Sequence, residues 1–231
     1  MRTNLQYAAD CIIFGPFADI NQILLVERKN EPFKGSWALP GGFMEENETI
    51  EQTADRELKE ETGISPSMLQ QFFTFTDPNR DPRGRIISTA FWALVGPSRF
   101  FLNPEPDSDV TQARWFDLKK LPALAFDHDL IIQKAISTLR REILIEPIIF
   151  QIMPKLFTLT QLQKTFEIIL DIELDKRNFR KKILSYPFIL ESSEMDLNSP
   201  GRPARYYIFD INEYQIFKNQ TNKTIFPVLF A

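Results

Sequence analysis

Gly42, Glu48, Arg56, Glu57, Glu60, Glu61 and Gly63 stand at fixed offsets in the stretch GFMEENETIEQTADRELKEETGI, residues 42–64. Glu57 and Glu61 are four apart and Glu60 is three from Glu57, so on a helix the three carboxylates project from neighbouring positions. Left alone they would repel one another. A hard divalent cation such as Mg²⁺ removes the repulsion, takes oxygen ligands and bridges to the phosphates of a substrate. Arg56 is placed to pair with Glu48 or Glu57 and fix its rotamer. A solvated acidic helix face would account for the glutamates alone, but not for the glycines and the arginine at their offsets.

The elements that must position these groups are legible around them. Thr49 and Gln52 form a capping-box pattern. Ile50, Ala54 and Leu58 recur at i, i+4 and i+8 as one apolar stripe, and Gly63 supplies a C-terminal stop. The glutamates are expected on a face turned away from much of that stripe. Pro40-Gly41-Gly42 makes a tight turn just before the helix. Runs 7–15, 22–28, 70–76, 86–95 and 112–117 read as strands. Asp127 reads as the N-cap of a helix running to about Glu142. A mixed sheet between helices is the expected layering.

The pattern G-x5-E-x7-R-E-U-x-E-E-x-G-U, with U aliphatic, is the signature of the Nudix family, and this chain resembles it at every fixed position. Chance agreement at the seven invariant positions is on the order of 10⁻⁹ per start point. The resemblance covers about the first 140 residues. It implies an α/β/α sandwich that hydrolyses a nucleoside diphosphate linked to another group, here ADP-ribose to AMP and ribose 5-phosphate. By motif position it makes Glu57, Glu60 and Glu61 ligands of Mg²⁺ (or Mn²⁺), with the Gly41 carbonyl as a further candidate. Glu48 and Arg56 become supporting catalytic residues. The general base lies outside the motif in many members; Glu105, Asp107 and Asp109 are loop candidates.

The stretch 77–85 (DPNRDPRGR) concentrates Arg80, Arg83 and Arg85. Arginine recognises phosphates bidentately, and the loop is similar to one in ADP-ribose-handling Nudix proteins. Phe33 and Trp37 precede the glycine turn and are candidates to stack on a base. His128, the single histidine, sits in AFDHDL at a helix start, where capping or packing is expected. Cys11, the single cysteine, lies in an apolar strand and reads as core.

Beyond Glu146-Pro147 the character changes, giving domains 1–145 and 146–231. Thr158 and Gln161 repeat the capping box, with Leu162, Phe166 and Leu170 as an apolar stripe. Asp175 caps a second helix, 176–184, which carries Lys176, Arg177, Arg180, Lys181 and Lys182. Two strands, 188–191 and 205–209, flank a loop bearing Arg202 and Arg205. Helix, turn, basic helix and hairpin is the order of a winged helix-turn-helix. A basic helix with a basic wing is the footprint of duplex DNA binding. The stretches FTLTQLQ, LDKRNFRKKIL and GRPARYYIF resemble the Nudix-related transcriptional regulators of NAD metabolism, the NrtR group. That resemblance implies an ADP-ribose-responsive, DNA-binding homodimer. It leaves two readings open, hydrolase and regulator.

Composition bounds these readings. The 231 residues are 43% hydrophobic and 25% charged, as in a soluble globular protein. No run of 18 apolar residues exists, so no membrane span is expected. The N-terminal residues lack the pattern of a secretion signal, and one cysteine excludes an internal disulfide; both fit a cytoplasmic protein. The net charge of −4 divides into −5 over residues 1–140 and +1 over 141–231. The acidic half must rely on cations to approach a phosphorylated ligand.

Overall fold

In the computed structural model, residues 4–15, 22–96, 102–105, 108–196 and 203–221 are described. Asp107 and Arg202 lie outside them. The chain divides into two compact units, Met1–Thr138 and Leu139–Ala231.

The first unit is built on a mixed sheet. Strand β1 (Leu5–Gly15) is its spine. It runs parallel to β6 (Arg85–Leu94), and β6 pairs antiparallel with β5 (Gln70–Phe75). On its other edge β1 pairs antiparallel with β2 (Gln22–Arg28) and, nearer its start, with the short β4 (Gly41–Phe43). Strand β2 in turn pairs with β3 (Trp37–Ala38) and β7 (Val110–Asp117). Residues buried on both sides explain why β1 and β6 read as near-continuous apolar runs.

Helix α1 (Ile50–Thr62) lies on this sheet. Its capping box forms as expected: Thr49 Oγ1 accepts from the Gln52 N–H, and Gln52 Oε1 accepts from the Thr49 N–H. Gly63 ends it in the left-handed conformation at φ 75°. Ala54 and Leu58 are fully buried against Cys11, Ile13, Leu24 and Phe91, and Ile50 packs at the edge of that cluster. Burial of Leu58 alone contributes about 1.5–3 kcal/mol. Cys11 is core, its thiol directed at the Ala54 carbonyl.

Helix α2 (His128–Ile145) is three residues longer than the sequence pattern proposes. It is shared between the units. Ile131, Ile132 and Ala135 are buried in the first, and Lys134 Nζ lies 4.8 Å from the Phe73 ring. In the second, Arg140 Nε donates to the Ile169 carbonyl, and Glu146 accepts from Tyr214 and Lys218. The division of packing thus falls inside α2, ahead of the Glu146-Pro147 junction.

The second unit holds a 3₁₀ turn (Ile148–Gln151), β8 (Phe157–Thr158), α3 (Leu159–Leu170), α4 (Lys176–Ile183), β9 (Ile189–Asp196), β10 (Ala204–Phe209) and α5 (Ile211–Thr221). Its strands pair antiparallel in the order β8-β10-β9. Both expected caps form, at Thr158 and Asp175. The buried stripe of α3 ends on Ile169 rather than Leu170. Strand β8 and helix α5 add to the elements read from the sequence. Tyr186, Phe188, Phe209, Tyr214 and Phe217 form a continuous aromatic cluster that ties α5 to the sheet.

Candidate active site and nucleic-acid interface

A cavity of about 390 Å³ opens beside β4 and the acidic helix. Glu57, Glu61, Gly41, Gly42 and Arg56 line one side; Arg28, Arg80, Arg83, Asp81, Phe126 and His128 are also in its lining. The two glycines are required by contact. A Cβ on Gly41, at φ 153°, would stand 2.1 Å from the Ala9 carbonyl oxygen, which is backbone and cannot yield. A Cβ on Gly42 would stand 2.2 Å from the Glu57 carboxylate. Glycine there lets the carboxylate lie flat against the strand. Gly42→Ala is therefore expected to keep the fold but displace Glu57, lowering any kcat by about 10- to 100-fold, since a 1 Å misplacement costs on that order. Gly41→Ala is expected to lower thermal stability outright. Melting curves and turnover of the two purified variants separate these outcomes.

Arg56 is the hub of the acidic helix. Its Nε and Nη2 hold both oxygens of Glu48 at 2.5 and 2.9 Å, Nη1 reaches Glu57 at 2.8 Å and Glu60 at 3.4 Å, and Nη2 also donates to the Phe43 carbonyl. The guanidinium holds the Glu48 carboxyl down at about 2. Arg56 thus pairs with both expected carboxylates and with Glu60 besides.

The three glutamates do not share one exposed face. Glu61 is 5% exposed beneath β4 and accepts the Gly41 N–H at 2.8 Å. Burial pushes its carboxyl well above the ordinary 4.5, with the Glu57 charge adding to the effect. Burial also raises Glu57, against the opposing pull of Arg56. Glu60 is more open and is not part of the cavity lining. Among the described residues no three of His, Cys, Asp and Glu are drawn together tightly enough to hold a metal ion as they stand. The chemistry of Glu57 and Glu61 nevertheless fits a hard cation: Glu57, paired with Arg56, and Glu61, seated on the Gly41 N–H, both line a polar cavity next to Gly41.

Of the loop candidates for general base, Asp109 reaches the cavity, where its Oδ1 accepts from Asn30. Glu105 instead donates its N–H to the Glu60 carbonyl and lies outside the lining.

The three loop arginines separate. Arg80 is not a surface residue: it is 8% exposed, gripped by Asp127 through two bonds of 3.0 and 2.7 Å and by Asp10 at 3.2 Å. Arg83 is half-exposed, held by Asp81, with its guanidinium carbon 4.7 Å from the Phe43 ring and 5.1 Å from the Phe126 ring. Arg85 donates to the Thr76 carbonyl and lies outside the lining. Trp37 is also outside it, packed edge-on to Phe116. Phe33 meets the cavity only through Phe126, whose ring it abuts at 4.8 Å.

Sequence reasoning missed the floor of this cavity. Asp10, on β1, accepts from Ser88 at 2.5 Å and faces His128 Nε2 at 3.4 Å. His128 Nδ1 accepts the Leu39 N–H at 2.8 Å, which leaves the proton on Nε2. Burial lowers its basicity, so it stands neutral in this network. Its role is packing and bonding at a helix start, as expected. One signal was available: a lone aspartate inside the apolar run YAADCIIFG must find partners.

In the second unit, Phe179 and Ile183 bury one face of α4 against α3, with Phe166 and Phe179 5.9 Å apart. Arg177 and Lys181, four apart, are exposed together on the opposite side, with Lys176 exposed at the N-terminus. Arg180 is turned back, its Nη2 on Thr160 Oγ1 at 3.2 Å. Arg205 is not a free cation of the wing: it is ion-paired with Glu191 on β9.

Comparison with known proteins agrees with both units. Residues 4–136 match the NUDIX domain model, and residues 149–209 match the NrtR DNA-binding winged helix domain. The ADPR responsive transcriptional repressor NtrR of Acinetobacter baylyi is 34% identical over 209 residues, covering 89% of this chain and 82% of the relative. The ADP-ribose pyrophosphatase of Methanocaldococcus jannaschii is 47% identical over 113 residues, 49% of this chain and 64% of the relative. The crystal structure of Shewanella oneidensis NrtR complexed with a 27mer DNA is similar with a TM-score of 0.72 and 28% identity, over 90% of this chain and 95% of that one. The chain belongs to the Nudix family and carries, behind its Nudix domain, a winged helix of the NrtR type.

Proposed function

We propose that this chain is an ADP-ribose-responsive DNA-binding regulator whose Nudix domain also hydrolyses ADP-ribose. The observation that carries hydrolysis is the assembled acidic site: Arg56 locks Glu48 and Glu57, and Glu61 is seated on the Gly41 N–H. Regulation is supported by the winged helix and by the name of the Acinetobacter relative.

Glu57 and Glu61 would hold a divalent cation, with Glu60 joining by a rotamer change and the Gly41 carbonyl completing the set. Mg²⁺ or Mn²⁺ at that position would neutralise a pyrophosphate and lower the pKa of a bound water. The chain's own residues do the rest. Arg56 keeps Glu57 in place, Gly42 leaves the carboxylate its room, and Asp109 is positioned to take a proton from water entering the cavity. Domains 1–145 and 146–231 divide the work, nucleotide in the first and DNA in the second.

On the DNA side, α4 is the recognition helix, and Arg177 with Lys181 is its working pair. Arg177→Ala/Lys181→Ala is expected to weaken operator binding by about 10-fold or more and to reduce the salt slope by about two charges. Arg205→Ala is expected to have a smaller effect, because its charge is already met by Glu191. Anisotropy titrations at two salt concentrations check both. A substrate panel with Mg²⁺ tests hydrolysis; absence of cleavage of any nucleoside diphosphate derivative removes the enzymatic half. Winged-helix operators with two half-sites are bound by dimers, and a homodimer is the expected species.

A further inference from the structure

The turn that joins β3 to β4 is held from three sides. The Leu39 N–H donates to His128 Nδ1, at the start of α2, at 2.8 Å. The Pro40 carbonyl accepts the Cys11 N–H of β1 at 2.8 Å. The Gly41 N–H donates to Glu61 of α1 at 2.8 Å. Three successive residues thus meet three different elements. The acidic site uses the last of these bonds, and the first rests on a single imidazole.

That imidazole is fixed on its other side as well. Nε2 faces Asp10 Oδ1 at 3.4 Å, and Asp10 is itself held by Ser88 and Arg80. The backbone leading into α2 is tied to the same short strand. The Ala125 N–H donates to the Trp37 carbonyl at 2.8 Å, and the His128 N–H to the Ala125 carbonyl at 3.3 Å. Residues 125–128 therefore grip β3 twice, at Trp37 through backbone and at Leu39 through the His128 ring. Leu39 and His128 are both buried, so removing the Nδ1 acceptor leaves the Leu39 N–H without a partner or water. Gly41 is only two residues on. A shift of about 1 Å at Leu39 carries the Gly41 N–H out of bonding range of Glu61.

We propose that His128 is a positioning residue: its Nδ1 holds the 39–41 turn in place and thereby seats Glu61 against Gly41. It acts through the turn rather than by contact with a cation. This rests on the reading of Glu57 and Glu61 as a cation site and makes the start of α2 part of that site's support. Two substitutions split the imidazole. Asparagine puts an oxygen near Nδ1, keeping the acceptor for Leu39 while losing reach to Asp10. Glutamine puts its amide nitrogen near Nε2 and does the reverse. A role in packing alone predicts the same loss in both.

The test is titration of the full chain with Mn²⁺, the free ion read by electron paramagnetic resonance, beside metal-free amide exchange of Leu39 and Gly41 read by NMR. His128→Gln is expected to weaken Mn²⁺ binding by about 10- to 100-fold, the range for groups that orient metal ligands, and to speed exchange of both amides. His128→Asn should stay below the bottom of that range and keep both amides protected. Equal effects of the two substitutions, or none from His128→Gln, overturn the assignment. A wild-type chain that binds no Mn²⁺ while exchange follows the same order of variants supports the positioning role and overturns the cation reading instead. The single histidine gives one imidazole signal, so ¹⁵N NMR of the wild-type chain decides the matter if His128→Gln does not fold. A bare Nδ1 coupled to the Leu39 N–H is expected there, and a proton on Nδ1 overturns the proposal.

Discussion

Glu61→Gln is expected to lower kcat for ADP-ribose hydrolysis by about 10²- to 10³-fold, the range for losing a preorganised charge that stabilises a transition state. The substituted side chain keeps an amide oxygen to accept the Gly41 N–H, so the fold of β4 against α1 should survive. The variant also separates charge from shape in stability. Glu57 and Glu61 are both raised above the ordinary 4.5 by burial. Between that value and their folded values the folded chain holds more protons than the unfolded chain. Stability without metal should therefore fall as pH rises above about 4.5 through the folded values, by up to about 1.4 kcal/mol per pH unit for each full proton. Mg²⁺ binds the charged form and should oppose that fall by mass action. Glu61→Gln should flatten the metal-free profile without a loss of melting temperature at neutral pH. Melting temperature from pH 5 to 8, with EDTA and with Mg²⁺, checks this. A Glu61→Gln variant with wild-type turnover would remove Glu61 from the catalytic set.

Arg80→Ala is expected to destabilise the first unit by about 3–5 kcal/mol, the cost of removing one partner from a buried ion pair. Arg80 meets Asp10 and Asp127, with its side chain 4% exposed. Deleting it leaves two carboxylates facing each other under the cavity. It would also release Asp127, hence Phe126 and the start of α2. Ligand affinity should fall as a consequence of that loosening, with no direct contact required. Combining the change with Asp10→Asn should restore part of the loss, because the groups form one network and do not add independently. Urea unfolding measures both variants. A loss below about 1 kcal/mol for Arg80→Ala would show that water replaces the arginine and that the network is not closed.

The sequence makes legible what is local. The capping boxes at Thr49 and Thr158 and the stripe Ala54–Leu58 act over a few residues, and α1 and α3 begin where the boxes stand, with Gly63 closing α1. Strand β4 is three residues, two of them glycine, and β8 is two residues; neither is long enough to show a period. The loop arginines look like a set because they are close in sequence. The fold disperses them: Arg80 finds Asp10 seventy positions away and Asp127 forty-seven away, Arg83 finds a neighbour two away, and Arg85 finds a backbone carbonyl. Such long-range pairing has no spacing to announce it. Helix geometry alone puts the glutamates on one face. Strand β4 overrides that by covering Glu61 and leaving Glu60 outside.

If one ligand site governs one DNA site in the same chain, the coupling must be reciprocal. A ligand that weakens DNA binding must itself be bound less tightly in the presence of DNA. The decisive experiment is anisotropy of a labelled duplex from upstream of the chain's own gene, against a random duplex of equal length. It is made at physiological salt with Mg²⁺, and ADP-ribose is supplied in steps as its non-hydrolysable α,β-methylene analogue, so that hydrolysis is silent while the cation stays in place. At least about 10-fold preference for the upstream duplex is expected, with release by ADP-ribose but not by AMP at the same concentration. Equal affinity for both duplexes, or retention of the upstream duplex at saturating ADP-ribose, would show that the Nudix domain does not regulate the winged helix.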